Sequence, residues 1–342
     1  MTDATTRESV RLKSARFSIS KGLLTIASAT ILLFIVSGIF APSSNSVIGL
    51  AGTLPIAAVL AIAGLGQLLV VQQGGIDLSV AGGISLAVVI VTHVPDGNNA
   101  LLLPAILLAV FFAILAGVVN GLLVGALRLN PIIATLGSNA LLYGVNLAIS
   151  GGRPRITTDA LAAIAGGQVG PIPNAVFFAI GALVLVWVFT KNTVAGRRFE
   201  AIGANPAATR AMGLRVKLHQ TSAFVWAQLL YCLAGIVLAG VTAQPDAFVG
   251  DTFLLISVAT VVLGGTSLLG GRGFPLATVV AALFLEQLQT FVHSVGLSTA
   301  VQMLVQAAAL ALGVSLYTVN WPAIWATITR RSSGAATAAP SP

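Results

Sequence analysis

Charge is what this sequence has least of. Only 8% of its 342 residues are Asp, Glu, Lys or Arg, against roughly 25% in ordinary soluble domains. So few charges cannot cover the surface of a soluble fold of this length, so lipid is expected to be most of its solvent. Cysteine is nearly absent as well. The single one, Cys232, sits in an apolar run, which excludes an intrachain disulfide and a C-x-x-C metal motif. It reads as a small buried hydrophobe. The three histidines are too scattered for a metal site. No G-x-x-x-x-G-K-[ST] phosphate loop is present, and no lysine follows a glycine. The chain is therefore not expected to hydrolyse ATP by that route. Paired aspartates of a metal–diphosphate enzyme are missing, and no catalytic constellation is visible. An enzyme is not expected, and neither a cofactor nor a metal is expected on this chain.

Hydrophobic residues are what is there instead, at 57% of the chain. They fall in runs at 22–41, 50–71, 75–93, 100–124, 131–150, 175–190, 222–243, 252–270, 274–295 and 298–318. The runs predict an all-α polytopic membrane protein of about ten transmembrane helices, each near 20 residues. One membrane domain over 22–318 is expected, between a polar N-terminal tail, 1–21, and a C-terminal tail, 319–342. That second tail ends in a stretch rich in Ser, Ala, Gly and Pro and reads as largely disordered. The first run exceeds the length of a signal-peptide core, and Pro42 follows it directly, so an uncleaved helix is expected.

The net charge of +8 sets orientation rather than pointing to nucleic acid. With the N-terminus inside, the N-terminal tail, Arg128, the loop 191–221, Arg272 and the C-terminal tail are all cytoplasmic. They hold every Lys and Arg except Arg153 and Arg155. Asp96, Asp159, Asp246 and Asp251 then fall outside. This asymmetry follows the positive-inside rule and predicts both termini in the cytoplasm.

The loop 191–221 is the most informative polar segment. Asn205 suits the cap of a helix whose first residue is Pro206. Gly213 suits its end about two turns later. Basic residues flank this short helix. It reads either as a solvated connector or as a docking helix for a cytoplasmic partner.

The stretch from Gly196 through Arg197, Arg198, Glu200, Gly203, Asn205, Pro206 and Arg210 to Gly213 resembles the coupling loop of ribose-type ABC permeases. Three further segments are similar to that family. Gly74-Gly75-Ile76-Asp77-Leu78-Ser79-Val80 matches its "GGIDLSV" stretch, with Ala81 following where glycine is frequent. The segment from Val261 to Gly273 matches "VVLGGTSLxGGxG", and Asn130-Pro131 opens a "PFIATL"-like helix start. The resemblance runs from about 22 to about 318. It implies a pore subunit of a sugar importer in the cell inner membrane, paired with a second permease chain as a homodimer or heterodimer. It implies an extracytoplasmic sugar-binding protein that delivers cargo. It also implies an ABC ATPase subunit, holding ATP and magnesium, that engages the coupling loop.

Polar residues inside apolar runs are costly and mark function or helix-to-helix bonding. Asp77 is the first: either Asp77 or Ser79 caps a broken helix, or Asp77 is a gate or substrate contact. Glu286, Gln289, Thr290 and His293 share one helical face. Thr135, Asn139, Tyr143 and Asn146 form a second stripe, whose donors, acceptors and aromatic ring suit a polyol. Packing bonds are the alternative for both. Gln67, Gln72 and Gln73 are weaker candidates. Gly74-Gly75 also echoes Gly264-Gly265, either as a trace of an internal repeat or by coincidence. Two other functions compete: an ion-coupled secondary transporter using Asp77, Glu286 and His293, and an ABC permease for branched-chain amino acids.

Overall fold

A computed structural model describes residues 21–298 and, beyond them, 300, 301, 304, 307, 308 and 311. Most of the expected N-terminal tail, most of the tenth span and the whole C-terminal tail lie outside the described residues. The helices are α1 (Lys21–Phe40), α2 (Val47–Gln72), α3 (Val80–His93), α4 (Leu102–Gly121), α5 (Pro131–Ser150), α6 (Asp159–Ala165), α7 (Asn174–Trp187), α8 (Val194–Ala204), α9 (Pro206–Ala211), α10 (Val216–Val241), α11 (Phe253–Leu263) and α12 (Pro275–Ser294). The strands are a minimal antiparallel hairpin, β1 (Gln168–Val169) with β2 (Ile172–Pro173).

Among the described residues, 7 helices are long and apolar enough to cross a membrane. Two shorter apolar helices, Val80–His93 and Val249–Leu263, stand where full spans are expected. At 1.5 Å per residue the 14 residues of α3 reach only about 21 Å, short of a hydrocarbon core of about 30 Å. Both shortenings have a local cause. After α2, the N–H of Gly74 donates to Val71 O and that of Gly75 to Val70 O, at 2.9 and 3.2 Å. After α11, Gly265 and Thr266 donate to Val262 O and Val261 O at the same distances. These are Schellman caps, which need a left-handed residue at the turn. Gly74 and Gly265 supply it at φ +78° and +83°. The echo between the two segments is thus a shared helix stop. Gly74 aligns with Gly265, one residue away from the register that matching Gly-Gly pairs suggests.

Two further boundaries differ from expectation. Helix α10 begins at Val216 rather than near 222, drawing Lys217 and His219 into its first turn. The connection 191–215 holds two helices, α8 and α9, where one is expected.

Helices α2 and α10 form the centre. Of the apolar window of α2, 89% is buried, against 17% for the peripheral α1. Helix α10 packs on α2, α3 and α4; α12 packs on α2 and carries α1 on its other side. In lipid, close backbone approach replaces the hydrophobic drive between helices. Helix α4 and its π-helical extension provide it with Gly117, Gly121 and Gly125 at four-residue spacing. A Cβ on Gly117 would stand 2.6 Å from Val225 Cα of α10.

Candidate functional site

The functional features sit at three places: the break between α2 and α3, the end of the bundle around α8 and α9, and the opposite end.

The break, residues 74–79, runs through the interior with its backbone held by side chains. Asp77, Ser79 and Thr135 are fully buried. Thr135 Oγ1 accepts from Leu78 N at 2.9 Å and donates to Pro131 O at 2.8 Å. Asn139 Oδ1 accepts from Gly82 N at 2.7 Å. The Gln67 amide, oriented to suit its neighbours, accepts from Asp77 N at 3.1 Å and donates to Asp77 O at 3.0 Å. Asp77 Oδ1 accepts from both N and Oγ of Ser79. Two amides then reach Ser79 Oγ: Asn120 Nδ2 from α4 at 2.8 Å and Gln228 Nε2 from α10 at 2.7 Å. Buried backbone groups must be paired. Here a broken helix is re-paired by side chains from α2 and α5, with Asn120 and Gln228 bracing Ser79.

At the end of the bundle that holds the connection 191–215, α8 starts on Thr193, whose Oγ1 accepts from Gly196 N at 2.9 Å. Helix α9 starts on Asn205, whose Oδ1 accepts from Ala208 N at 3.0 Å, with Pro206 in the first position. Gly213, at φ +81°, closes it. Phe199, Ile202 and Gly203 are buried, so α8 faces the bundle along that side. Arg197, Arg198, Arg210 and Met212 are exposed, as are the alanines of α9. Glu200 pairs with Lys191 at 3.5 Å. Gly203 packs on the end of α2, where an added Cβ would stand 1.9 Å from Gln72 O. That same carbonyl accepts from Gly271 N at 2.9 Å. The loop after α11, the end of α2 and the inner face of α8 therefore meet at Gln72.

At the opposite end, Tyr143 Oη donates to Asp251 and its ring stands edge-on to Phe248, with centroids 5.2 Å apart. Asn146 Nδ2 donates to Ala247 O. The α5 stripe thus runs from the helix break, through Thr135 and Asn139, to the loop before α11, through Tyr143 and Asn146. Arg155 pairs with Asp96 at 3.2 Å, placing one of the two basic exceptions beside an acid.

The α12 stripe grades from buried Glu286, through half-buried Gln289 and Thr290, to exposed His293. Thr290 Oγ1 lies 2.9 Å from Thr53 Oγ1 of α2. The α5 stripe reaches the helix break beside Asp77 through Thr135, whereas the α12 stripe packs on α2 through Thr290. Ser79 stands at the N-cap position of α3, one of the two capping candidates, while sequence reasoning passed over Asn120, Gln228 and Asp251 as partners. Their signal was a lone amide within an apolar run, and for Asp251 an acid at a helix start.

Residues 49–314 match the family described as branched-chain amino acid transport system / permease component. The chain is 32% identical over 292 residues to a probable ABC transporter permease protein, y4mJ, of Sinorhizobium fredii, covering 85% of this chain and 87% of that one. It is 33% identical over 294 residues to the ribose import permease protein RbsC of Escherichia coli K12, covering 84% and 90%. It is 34% identical over 237 residues to the galactofuranose transporter permease protein YtfT of the same strain, covering 68% and 69%. No solved structure matches the chain. A bundle of membrane-length helices, a helix broken in its interior and a capped basic helix pair at one end accompany that match, and the chain belongs to this family of transport-system permease components.

Proposed function

We propose that this chain is the membrane-spanning permease subunit of an ABC importer that carries a monosaccharide or related polyol across the inner membrane. The observation that carries this reading is the double-sided coupling segment. Its outer side exposes Arg197, Arg198, Arg210 and Met212, and its inner side is packed on the end of the central helix α2. A surface helix fixed to the most buried helix of the bundle can turn a push from outside into movement of the core. A carrier driven by an ion gradient needs no such segment.

The cytoplasmic partner on that surface is an ATPase, which holds ATP and magnesium. An extracytoplasmic sugar-binding protein delivers cargo at the opposite end, and a second permease chain completes the pore. Both termini are cytoplasmic, in keeping with a count of about ten transmembrane spans. A sugar-like cargo is supported by relatives named for ribose and galactofuranose import, rather than for an amino acid. Within this reading, Tyr143, Glu286, Gln289, Thr290 and His293 touch or gate the cargo. Asp77, Thr135, Asn139 and Asn146 instead hold the helix break and the loop before α11.

The test is uptake of a panel of labelled sugars by proteoliposomes carrying this chain with its ATPase and binding protein. ATP-dependent accumulation of at least one sugar is expected. Accumulation that needs only an ion gradient, or that selects branched-chain amino acids, sinks the reading.

A further inference from the structure

Three polar side chains meet on Ser79, and the hydrogen bonds of the cluster do not balance. Ser79 gives its hydroxyl proton to Asp77 Oδ1. Its oxygen accepts from Asn120 Nδ2 and Gln228 Nε2 at 2.8 and 2.7 Å. Every one of these residues has no exposed surface. The remaining oxygen of each partner, Asp77 Oδ2, Asn120 Oδ1 and Gln228 Oε1, is buried without a hydrogen-bond partner. Each is joined to the same carbon as an atom held on Ser79.

Turning either amide over does not help. It would aim an oxygen at Ser79, whose only proton already goes to Asp77. The cluster thus holds three free acceptors, one of them on a carboxylate, against only the second N–H of each amide. Nor is a basic side chain at hand. The ion pairs among the described residues are Arg155 with Asp96 and Lys191 with Glu200, both at the ends of the bundle. An uncompensated acceptor of this kind costs a large fraction of a fold's stability.

Room for one of these oxygens is made by a missing side chain. Gly83 lies one helical turn beyond Ser79, and a Cβ there would stand 2.6 Å from Gln228 Oε1. The backbone beside the cluster is the unwound stretch between α2 and α3.

We propose that Asp77, Asn120 and Gln228 bind one monovalent cation of sodium size at this helix break. A cation meets all three free acceptors at once and neutralises the buried carboxylate. A proton on Asp77 would supply one donor for three acceptors. The ligands are hard oxygens carrying a single negative charge, which suits an alkali ion. Divalent calcium draws more oxygens and more charge, and soft metals draw nitrogen and sulfur. Unwound segments in other membrane transporters also hold alkali ions, there through backbone carbonyls. Here the ion locks α3 to α4 and α10, and it is not itself transported. The inference does not depend on which cargo is carried or on what drives it.

The experiment uses the full-length protein in lipid nanodiscs, with equilibrium binding of radioactive sodium. Thermal unfolding is followed in parallel in sodium or choline chloride at matched ionic strength and fixed pH. Saturable binding of one sodium per chain is expected, with a rise in melting temperature that saturates over the same range. Asp77→Asn should weaken sodium binding by about tenfold or more, a scale typical of disturbing a metal site. Gly83→Ala should weaken it in the same direction. Asp159→Asn, which removes an exposed carboxylate, should leave it unchanged. Absence of saturable sodium binding to the wild-type protein overturns the proposal. So does binding that survives Asp77→Asn intact, or stabilisation that follows pH alone in choline with no response to sodium. Should Asp77→Asn fail to insert, wild-type binding and the Gly83→Ala shift decide the matter. None of these readouts requires transport, so loss of the importer reading would leave the result standing.

Discussion

The side-chain amide of Gln73 donates to the carbonyl oxygen of Phe199 across 2.9 Å, fastening α8 to the end of α2. One residue earlier, Gln72 O accepts from Gly271 N and lies against Gly203. The backbones of α8 and α2 are in contact here, so a displacement of α8 is expected to reach α2. Gly203→Val places a side chain 1.9 Å from Gln72 O, so the two helices must part. The local cost is about 1–3 kcal/mol. The outer face, with Arg197, Arg198 and Arg210, stays intact. ATPase binding and ATP hydrolysis are expected to persist while uptake falls sharply. Parallel measurement of hydrolysis and uptake checks this. Uptake equal to wild type would mean that the contact transmits nothing.

The start of α9 gives a second, graded prediction. Asn205 Oδ1 caps the helix through Ala208 N, and its replacement by alanine costs about 1 kcal/mol. Binding to the ATPase should weaken by about fivefold, the ratio that such an energy implies. Asn205→Asp keeps the acceptor oxygen and should restore affinity. If alanine and aspartate variants bind alike, docking does not use the shape of α9.

How much of this was legible from the residues varied with the range of the causes. The helix 131–150 was readable to its last residue because its signals are adjacent: the Asn130 cap, Pro131 and the left-handed Gly151. The break inside 252–270 was hidden. Its residues stay apolar past Leu263, while the stop lies in the backbone angle of Gly265, which hydropathy does not sense. Helix α8 was missed because Gly196 and Gly203 argue against a helix by propensity. Packing overrules that: a Cβ on Gly196 would stand 2.0 Å from Phe189 O. The cluster on Ser79 was out of reach, since Asn120 and Gln228 lie 41 and 149 residues along the chain.

Topology can be checked on a background lacking the native thiol. Cys232 is buried in α10, so Cys232→Ser should insert normally. Arg210→Cys carries its thiol on the exposed side of α9 and Gln168→Cys on the exposed β1. In intact cells an impermeant maleimide is expected to label the second and spare the first until the membrane is opened. The reverse pattern would invert the orientation and remove the ATPase from the α8–α9 surface.

The last prediction concerns the graded stripe on α12. Glu286 is buried, Gln289 and Thr290 are half-buried, and His293 is exposed, so the stripe leads inward from one end of the bundle. Thr290 also meets Thr53 of α2 at 2.9 Å, a contact worth little by itself, since polar bonds between membrane helices average about 0.6 kcal/mol. This separates two roles. If the stripe only joins helices, Thr290→Val should lower thermal stability by about that amount and leave transport unchanged, with Glu286→Gln equally mild. If the stripe lines the cargo's route, the losses should appear in uptake instead. Glu286→Gln keeps shape and hydrogen bonding but removes the charge, so a charge-dependent contact would show as reduced uptake with unchanged melting temperature. The expected outcome for Glu286→Gln with Thr290→Val is normal insertion, a melting temperature close to wild type and strongly impaired uptake. Uptake at the wild-type rate, with only the small stability loss, would assign the stripe to packing and leave Tyr143 beside Asp251 as the remaining candidate contact.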